Sequence, residues 1–153
     1  MKNMAEENYK KIVFELEQDE DGYPPDKWES LWGYEKEDGY CIDNIPFYAK
    51  GVSSGDVVSV VPTEGRLQFE RVIHPSRNSV VRLYVSDISD MQATRDGFRE
   101  LGCESELHSN PKFVAVEIPE AVTAYPVDEL LEAGAKSGRW EYEWGVLRHP
   151  IAA

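Results

Sequence analysis

Turn-forming residues divide the first half of the chain into short segments that are rich in strand-forming residues. The candidate strands are "KIVFELEQ", "WESLWGY", "YCIDNI", "VVSVV" and "LQFERVI", and the segments between them are "DEDGYPP", "KEDG", "GVSSGD" and "PTEG". Several short strands at such close spacing are typical of small all-β units. They predict a small, strongly bent antiparallel β-barrel or half-barrel at the N-terminus.

Alternation within these segments predicts which side chains face the core. In the first segment, Ile12, Phe14 and Leu16 share one face, and Val13 lies with glutamates on the other face, which we expect to be wet. The apolar run at residues 57–61 predicts a buried strand.

Two turns in this half are informative. A hairpin with arms at residues 28–34 and 40–45 requires a tight turn, for which we expect Gly39 to adopt a positive φ. In "GVSSGD", Gly51 and Gly55 mark sharp bends, and we expect Asp56 to bind nearby backbone amides. A phosphate cradle is not expected there, because this loop opens onto a strand and not onto a helix.

The pattern changes after "HPSRNS". From Val80 onward the order is strand, helix, strand, strand, helix, strand, which predicts a ferredoxin-like βαββαβ unit. The predicted fold is therefore α+β, with a β-rich subdomain over residues 1–79 packed on an α+β subdomain over residues 80–153 as one compact unit.

The first predicted helix spans residues 88–102. Its apolar stripe contains Ile88, Met91, Phe98 and Leu101. Gly97 in its interior costs about 1 kcal/mol relative to Ala. We expect this cost to be offset by close packing of the helix on the sheet.

Charge is the strongest functional signal. The formal net charge is −13, and residues 1–45 contain 13 acidic and 5 basic side chains. A field of this sign repels nucleic acid and anionic membranes, and it attracts a basic protein partner. A surface that only keeps the protein soluble is the alternative.

Aromatic side chains crowd the acidic N-terminal third and also the acidic C-terminal strand at residues 140–144. Rings beside carboxylates suit the binding of cationic protein, although Trp32 and Trp144 are in phase with apolar neighbours and are predicted to fill the core. The predicted partner-binding residues are seven carboxylates and two aromatic anchors: Glu17, Asp19, Glu20, Asp21, Glu35, Glu37, Asp38, Tyr23 and Trp28.

No catalytic or metal-binding motif is present. The three histidines lack zinc-ligand spacing, and "EQDEDG" does not match the register of a calcium loop. We therefore expect no enzyme activity, no metal and no cofactor. Cys41 and Cys103 are expected to be reduced thiols in a cytoplasmic protein, because the N-terminal segment lacks the apolar stretch of a signal peptide.

The whole chain resembles the DUF4265 family of uncharacterised bacterial proteins. The likeness lies in five segments: "FELEQDEDGYPP" (14–25), "ESLWGYEKEDGYCIDNIPFYAKGVSSGDVV" (29–58), "FERVIHPSRNSVVRL" (69–83), "LGCESE" (101–106) and "GRWEYEWGVLRHP" (138–150). The resemblance implies a family and a fold but no set of catalytic residues. By analogy of type, some small acidic families of this kind are immunity proteins that accompany secreted toxins.

The resulting hypothesis is a non-enzymatic binding protein, of immunity or antitoxin type, that neutralises a basic partner through an acidic surface. The first alternative is a regulatory domain that binds a small molecule on an open face of the second sheet. A hydrolase with an unrecognised site is a third possibility.

Overall fold

A computed structural model describes residues 9–151, and the chain divides into two compact units between Ser76 and Arg77. Within these residues, the first unit contains five strands, and the second contains four strands and two α-helices. In chain order the elements are β1 (Tyr9–Glu15), β2 (Trp28–Glu35), β3 (Tyr40–Ile42), β4 (Val57–Thr63), β5 (Arg66–His74), β6 (Ser79–Val85), α1 (Met91–Glu100), β7 (Glu104–Leu107), β8 (Phe113–Ile118), α2 (Tyr125–Lys136) and β9 (Trp140–Val146). The mixed α+β class is confirmed.

The first unit is a closed barrel in which the five strands follow one another in chain order. Consecutive strands are antiparallel, with Ile12 opposite Leu31, but β1 and β5 are parallel, with Ile12 beside Leu67. An odd number of strands explains this difference from an all-antiparallel barrel: in a meander the first and fifth strands point the same way.

The barrel core holds Ile12, Phe14 and Leu16 as predicted. Two expectations about burial were wrong. Val13 is only 8% exposed, so the second face of β1 is not uniformly wet. In β4 only Val58 is fully buried and Val61 is 43% exposed, because the strand alternates instead of being buried on both faces.

The hairpin between β2 and β3 also differs from expectation. Gly39 has no positive φ; it is required because a Cβ there would overlap the carbonyl oxygen of Val58. The second arm ends at Ile42 and not at Ile45. Beyond it, the side-chain oxygen of Asn44 accepts the backbone N–H of Trp32 at 2.6 Å, which replaces a ladder bond.

The second unit is a four-stranded sheet in the order β7-β8-β6-β9. Val81, Leu83 and Val85 of β6 are buried as predicted, and they share one core with residues of both helices, including Phe98 and Leu131. Both helices therefore pack on the same face of the sheet. No helix within residues 9–151 has the length and apolar character needed to span a bilayer.

The start of the first helix corrects one prediction. Residues 88–90 form a separate 3-10 turn before α1, and Ile88 is 51% exposed instead of lying on the apolar stripe. The Asp87 carboxylate caps this turn by accepting the Ser89 N–H at 2.9 Å. Gly97 faces Leu130 of α2, not the sheet, at an ordinary van der Waals distance.

Candidate functional site

The loop that joins β1 to β2, residues 16–27, is the most acidic exposed segment and is called the acidic loop below. Its ends are closed by a hydrogen bond from the Leu16 N–H to the Lys27 carbonyl at 2.7 Å. Five carboxylates and one lysine lie within it, and all six side chains are exposed: Glu17, Asp19, Glu20, Asp21, Asp26 and Lys27. Four of the predicted contact carboxylates, Glu17, Asp19, Glu20 and Asp21, therefore lie at exposed positions of one loop.

Asp19 determines the shape of this loop. One of its carboxylate oxygens accepts the N–H groups of Asp21 and Tyr23, each at 2.9 Å. Its backbone N–H donates to the Tyr23 carbonyl at 2.7 Å, and the Gln18 amide donates to the Pro24 carbonyl at 3.0 Å. Asp19, predicted as a contact residue, thus organises the turn from which Glu17, Glu20 and Asp21 project.

The two predicted aromatic anchors differ in their surroundings. Tyr23 is 43% exposed, and its ring meets Tyr48 edge-on at a centroid distance of 6.0 Å. Trp28 is 38% exposed, but the Arg66 guanidinium lies 4.9 Å from its ring centroid. The face of Trp28 therefore already has a cation from its own chain.

The remaining predicted carboxylates, Glu35, Glu37 and Asp38, lie at the opposite end of β2. From Trp28 to Glu35 the strand makes seven steps of about 3.3 Å, which places these carboxylates about 23 Å from the acidic loop. A hydrogen bond from His74, at 2.6 Å, lowers the pKa of Asp38. The structure therefore divides the predicted surface into two separate acidic groups.

Trp32 does not fill the core as predicted. It is 45% exposed, and the Lys11 ammonium lies 5.6 Å from its ring centroid. Trp144 is half-buried and packs against the core of the second unit, as expected. The alternation that placed Trp32 inward fails because Gly33 and Leu31 are the buried positions of β2.

Two buried or half-buried carboxylates hold the loop between β3 and β4. The Asp56 carboxylate accepts the N–H of Ser53 at 2.9 Å and of Ser76 at 2.8 Å, which confirms the predicted structural role of this aspartate. Glu29, which the sequence did not single out, accepts three consecutive backbone N–H groups, those of Phe47, Tyr48 and Ala49, at 2.7 to 3.1 Å.

Neither cysteine forms a disulfide, and both thiols are free. Burial raises the pKa of Cys103 to about 12, and it also raises the pKa of the half-buried Cys41. A thiol with a raised pKa has little thiolate at neutral pH, so neither cysteine is suited to nucleophilic chemistry.

A serine and a histidine that the sequence did not connect lie together in the second unit. Ser79 Oγ is 2.6 Å from His149 Nδ1, and His149 Nε2 is 2.9 Å from the Pro119 carbonyl. Ser79 Oγ also accepts the Arg148 N–H at 2.8 Å. The pair resembles a catalytic dyad, but Ser79 is 0% exposed and no substrate can reach it. The Ser79–His149 pair instead links the segment after β9 to the start of β6 through hydrogen bonds.

The sheet face that lies opposite the helices is not an open platform at its centre. Arg82 and Glu117 are 1% and 5% exposed there, and Gly145 lies against the Arg82 guanidinium, with which Glu143 makes an ion pair at 3.8 Å. Arg82 and Glu117 are therefore not exposed on this face. Within residues 9–151, no three His, Cys, Asp or Glu side chains are grouped to share a metal ion.

Comparisons with known proteins agree with the fold. Residues 29–142 match a family described as "Domain of unknown function (DUF4265)". The chain is also similar to a solved structure described as a hypothetical protein from Neisseria gonorrhoeae, with a TM-score of 0.74 and 19% sequence identity over 90% of this chain and 94% of that one. No curated protein sequence matches the chain.

Proposed function

We propose that this chain, which belongs to the DUF4265 family, is a non-enzymatic binding protein that neutralises a basic partner protein, as immunity proteins and antitoxins do. The observation that supports this most is the acidic loop, in which Asp19 fixes the backbone and Glu17, Glu20 and Asp21 project into solvent. Tyr23, exposed beside them, is the proposed anchor.

A fixed loop favours binding for two physical reasons. Its backbone is already ordered by internal hydrogen bonds, so less conformational entropy is lost when a partner docks. Clustered carboxylates also steer a cationic partner and raise its association rate, while an aromatic ring supplies buried area and a cation–π contact. The proposed partner is therefore a protein that presents a cluster of Lys and Arg side chains.

The second acidic group, Glu35, Glu37 and Asp38, is proposed as an outer contact that only a large partner would reach. Its distance of about 23 Å from the acidic loop is comparable with the width of a standard protein interface. Asp38 is already bound to His74, which makes it the weakest candidate of the three.

The proposed location is the cytoplasm. Two free thiols, Cys41 and Cys103, support a reducing compartment. Neutralisation inside the producing cell would then consist of covering the cationic cleft of a toxic protein with the acidic loop.

We also propose that the second unit is ferredoxin-like. The element order β6-α1-β7-β8-α2-β9 and the sheet order β7-β8-β6-β9, with both helices on one face, support this assignment.

Comparative capture tests the proposed function. The wild type and the variant Glu17→Gln/Glu20→Gln/Asp21→Asn are immobilised and exposed to lysate at low and high salt. The control Glu100→Gln/Glu104→Gln/Glu129→Gln changes the net charge equally at exposed positions of the second unit. We expect a basic protein that the wild type and the control retain at low salt, and that the loop variant loses. Equal retention by all three proteins would reject the proposal.

A further inference from the structure

We propose that the free edge of β9 is a second binding site, which takes an extended segment of a partner protein as an added antiparallel or parallel strand. The segment is one in which Lys or Arg alternates with apolar residues. The site lies on the second unit and does not depend on the acidic loop, so it goes beyond the function proposed above.

The two edges of the second sheet differ in their protection. β7 is four residues long, and the Arg95 guanidinium donates to the Ser105 carbonyl at 3.2 Å. β9 is seven residues long, and among the strands of residues 9–151 it pairs with β6 alone. A long edge strand presents a row of backbone donors and acceptors to which another strand can bind.

The ladder between β6 and β9 determines which backbone groups face outward. Ser86 N–H donates to the Arg139 carbonyl at 2.8 Å, just before the first paired residues of β9. Hydrogen-bonded and non-hydrogen-bonded pairs alternate along an antiparallel ladder. Glu141 and Glu143 therefore bond to β6, whereas the N–H and C=O groups of Tyr142 and Trp144 point away from it.

Carboxylates lie on both faces of this edge. Glu141 and Glu143 share the face of their cross-strand partners Tyr84 and Arg82, and Glu143 makes an ion pair with Arg82 at 3.8 Å. On the helix face, burial and then the carboxylates of Asp128 and Glu132 raise the pKa of Tyr142, which places negative charge beside its ring. An incoming strand thus meets the carboxylates of Glu141 and Glu143 on one face. On the helix face it meets the half-buried rings of Tyr142 and Trp144, which pack against the core of the second unit.

The side chains of β9 determine which residue types an added strand should carry. The residue opposite Glu141 should be basic, because Glu143 is already paired with Arg82. Residues opposite Tyr142 and Trp144 should be β-branched or aromatic, because cross-strand pairs of these kinds stabilise sheets. A second copy of this chain pairing through β9 would bring Glu141 and Glu143 close to their own counterparts. Like charges on paired strands are destabilising, so the site disfavours a homodimer.

Hydrogen exchange with a synthetic peptide tests the site. The probe is a short capped peptide that alternates Lys with Val, and its control has the same composition with the lysines and valines in two blocks. We expect the alternating peptide to slow exchange of the Tyr142 and Trp144 amides and to bind more tightly than the block peptide. Equal binding of the two peptides, or protection confined to the acidic loop, would overturn the proposal.

A matched pair of variants separates backbone pairing from side-chain contact. Tyr142→Pro and Tyr142→Ala both remove the ring, but only proline removes the outward N–H, and it leaves the bonds to β6 intact. The loss of one hydrogen bond should make the proline variant bind at least about fivefold more weakly than the alanine variant. Equal affinities, with both variants shown by circular dichroism to be folded, would contradict strand addition.

Charge provides an independent check. Glu141→Lys, at an exposed position, should weaken binding of the alternating peptide, whereas the acidic-loop variant Glu17→Gln/Glu20→Gln/Asp21→Asn should bind it as the wild type does. Loss of peptide binding in the loop variant would assign the peptide to the acidic loop and overturn the β9 site, while leaving the function of that loop untouched.

Discussion

Two glycines inside helices have opposite roles in this fold. A Cβ on Gly134 of α2 would overlap the indole ring of Trp140, which is buried and donates its Nε1–H to the Leu131 carbonyl at 3.0 Å. A Cβ on Gly97 of α1 would meet only the Leu130 side chain at 3.7 Å. The first glycine is therefore required by packing, and the second only lowers helix propensity.

Alanine substitutions test this difference at the residue scale. Gly97→Ala should raise the free energy of unfolding by about 0.5 to 1 kcal/mol, because alanine restricts the unfolded chain more than glycine. Gly134→Ala should lower it by at least about 2 kcal/mol, because the Trp140 ring must move. Urea unfolding measures both, and a gain in stability from Gly134→Ala would refute the packing explanation.

A second residue-scale prediction concerns pH. Arg139 binds both oxygens of Asp90, at 2.8 and 3.0 Å, and this contact lowers the pKa of Asp90 below its ordinary value of 3.8. A carboxyl with a lowered folded pKa stabilises the fold above its unfolded pKa, and the contribution is lost as pH falls through the folded value.

Asp90→Asn should therefore lower the free energy of unfolding by about 1 kcal/mol at pH 7, since the pair is partly exposed. The difference from wild type should shrink as pH falls below about 4. Asp96→Asn, which removes the exposed contact with Arg99 at 3.5 Å, is the control and should have little effect at either pH. If the difference in the free energy of unfolding between wild type and Asp90→Asn does not change as the pH is lowered below about 4, Asp90 does not act through its charge.

At the scale of strands and helices, local patterns predicted the type of each element. Apolar residues repeat with period two in strands and with period 3.6 in helices, and both patterns lie within a few neighbouring residues. The strands of both units and the two helices could therefore be predicted from the sequence alone. The boundaries of strands and the closure of the barrel depend on groups that are distant in sequence. β3 ends where the Asn44 side chain takes the place of a ladder hydrogen bond to Trp32. The barrel closes because β1 pairs with β5, which lies at the other end of the first unit. Trp32, exposed over Lys11, shows that alternation alone does not decide which face is buried.

The next prediction concerns the loop between β3 and β4, which the Glu29 carboxylate holds in place. Glu29→Ala leaves the three N–H groups of Phe47, Tyr48 and Ala49 without their acceptor and should lower the free energy of unfolding by about 2 to 3 kcal/mol. The amides of those residues should also exchange faster. Glu15→Ala, at an exposed position of the neighbouring strand, is the control. If both variants are equally stable, Glu29 does not hold the loop.

At the scale of the whole molecule, the sequence predicted the quantity of negative charge better than its arrangement. The concentration of negative charge beside aromatic residues in the first 45 positions predicts nine partner-binding residues, and all nine are exposed. Their separation into two groups follows from the extended strand β2, which carries Glu35 far from Glu17. Ser79 and His149 show the same limit, because residues 70 positions apart in sequence give no local signal of contact.

The proposed function requires the acidic loop to act through its charge, so the affinity for the captured basic partner is the decisive quantity. Its Kd should be measured for the wild type, the loop variant and the control variant from about 0.05 to about 0.5 M NaCl. If the loop acts through its charge, the loop variant should bind at least about tenfold more weakly at low salt, and this difference in Kd should narrow as salt rises, while the control matches the wild type. Equal Kd values for the loop and control variants across this range would contradict the proposed function.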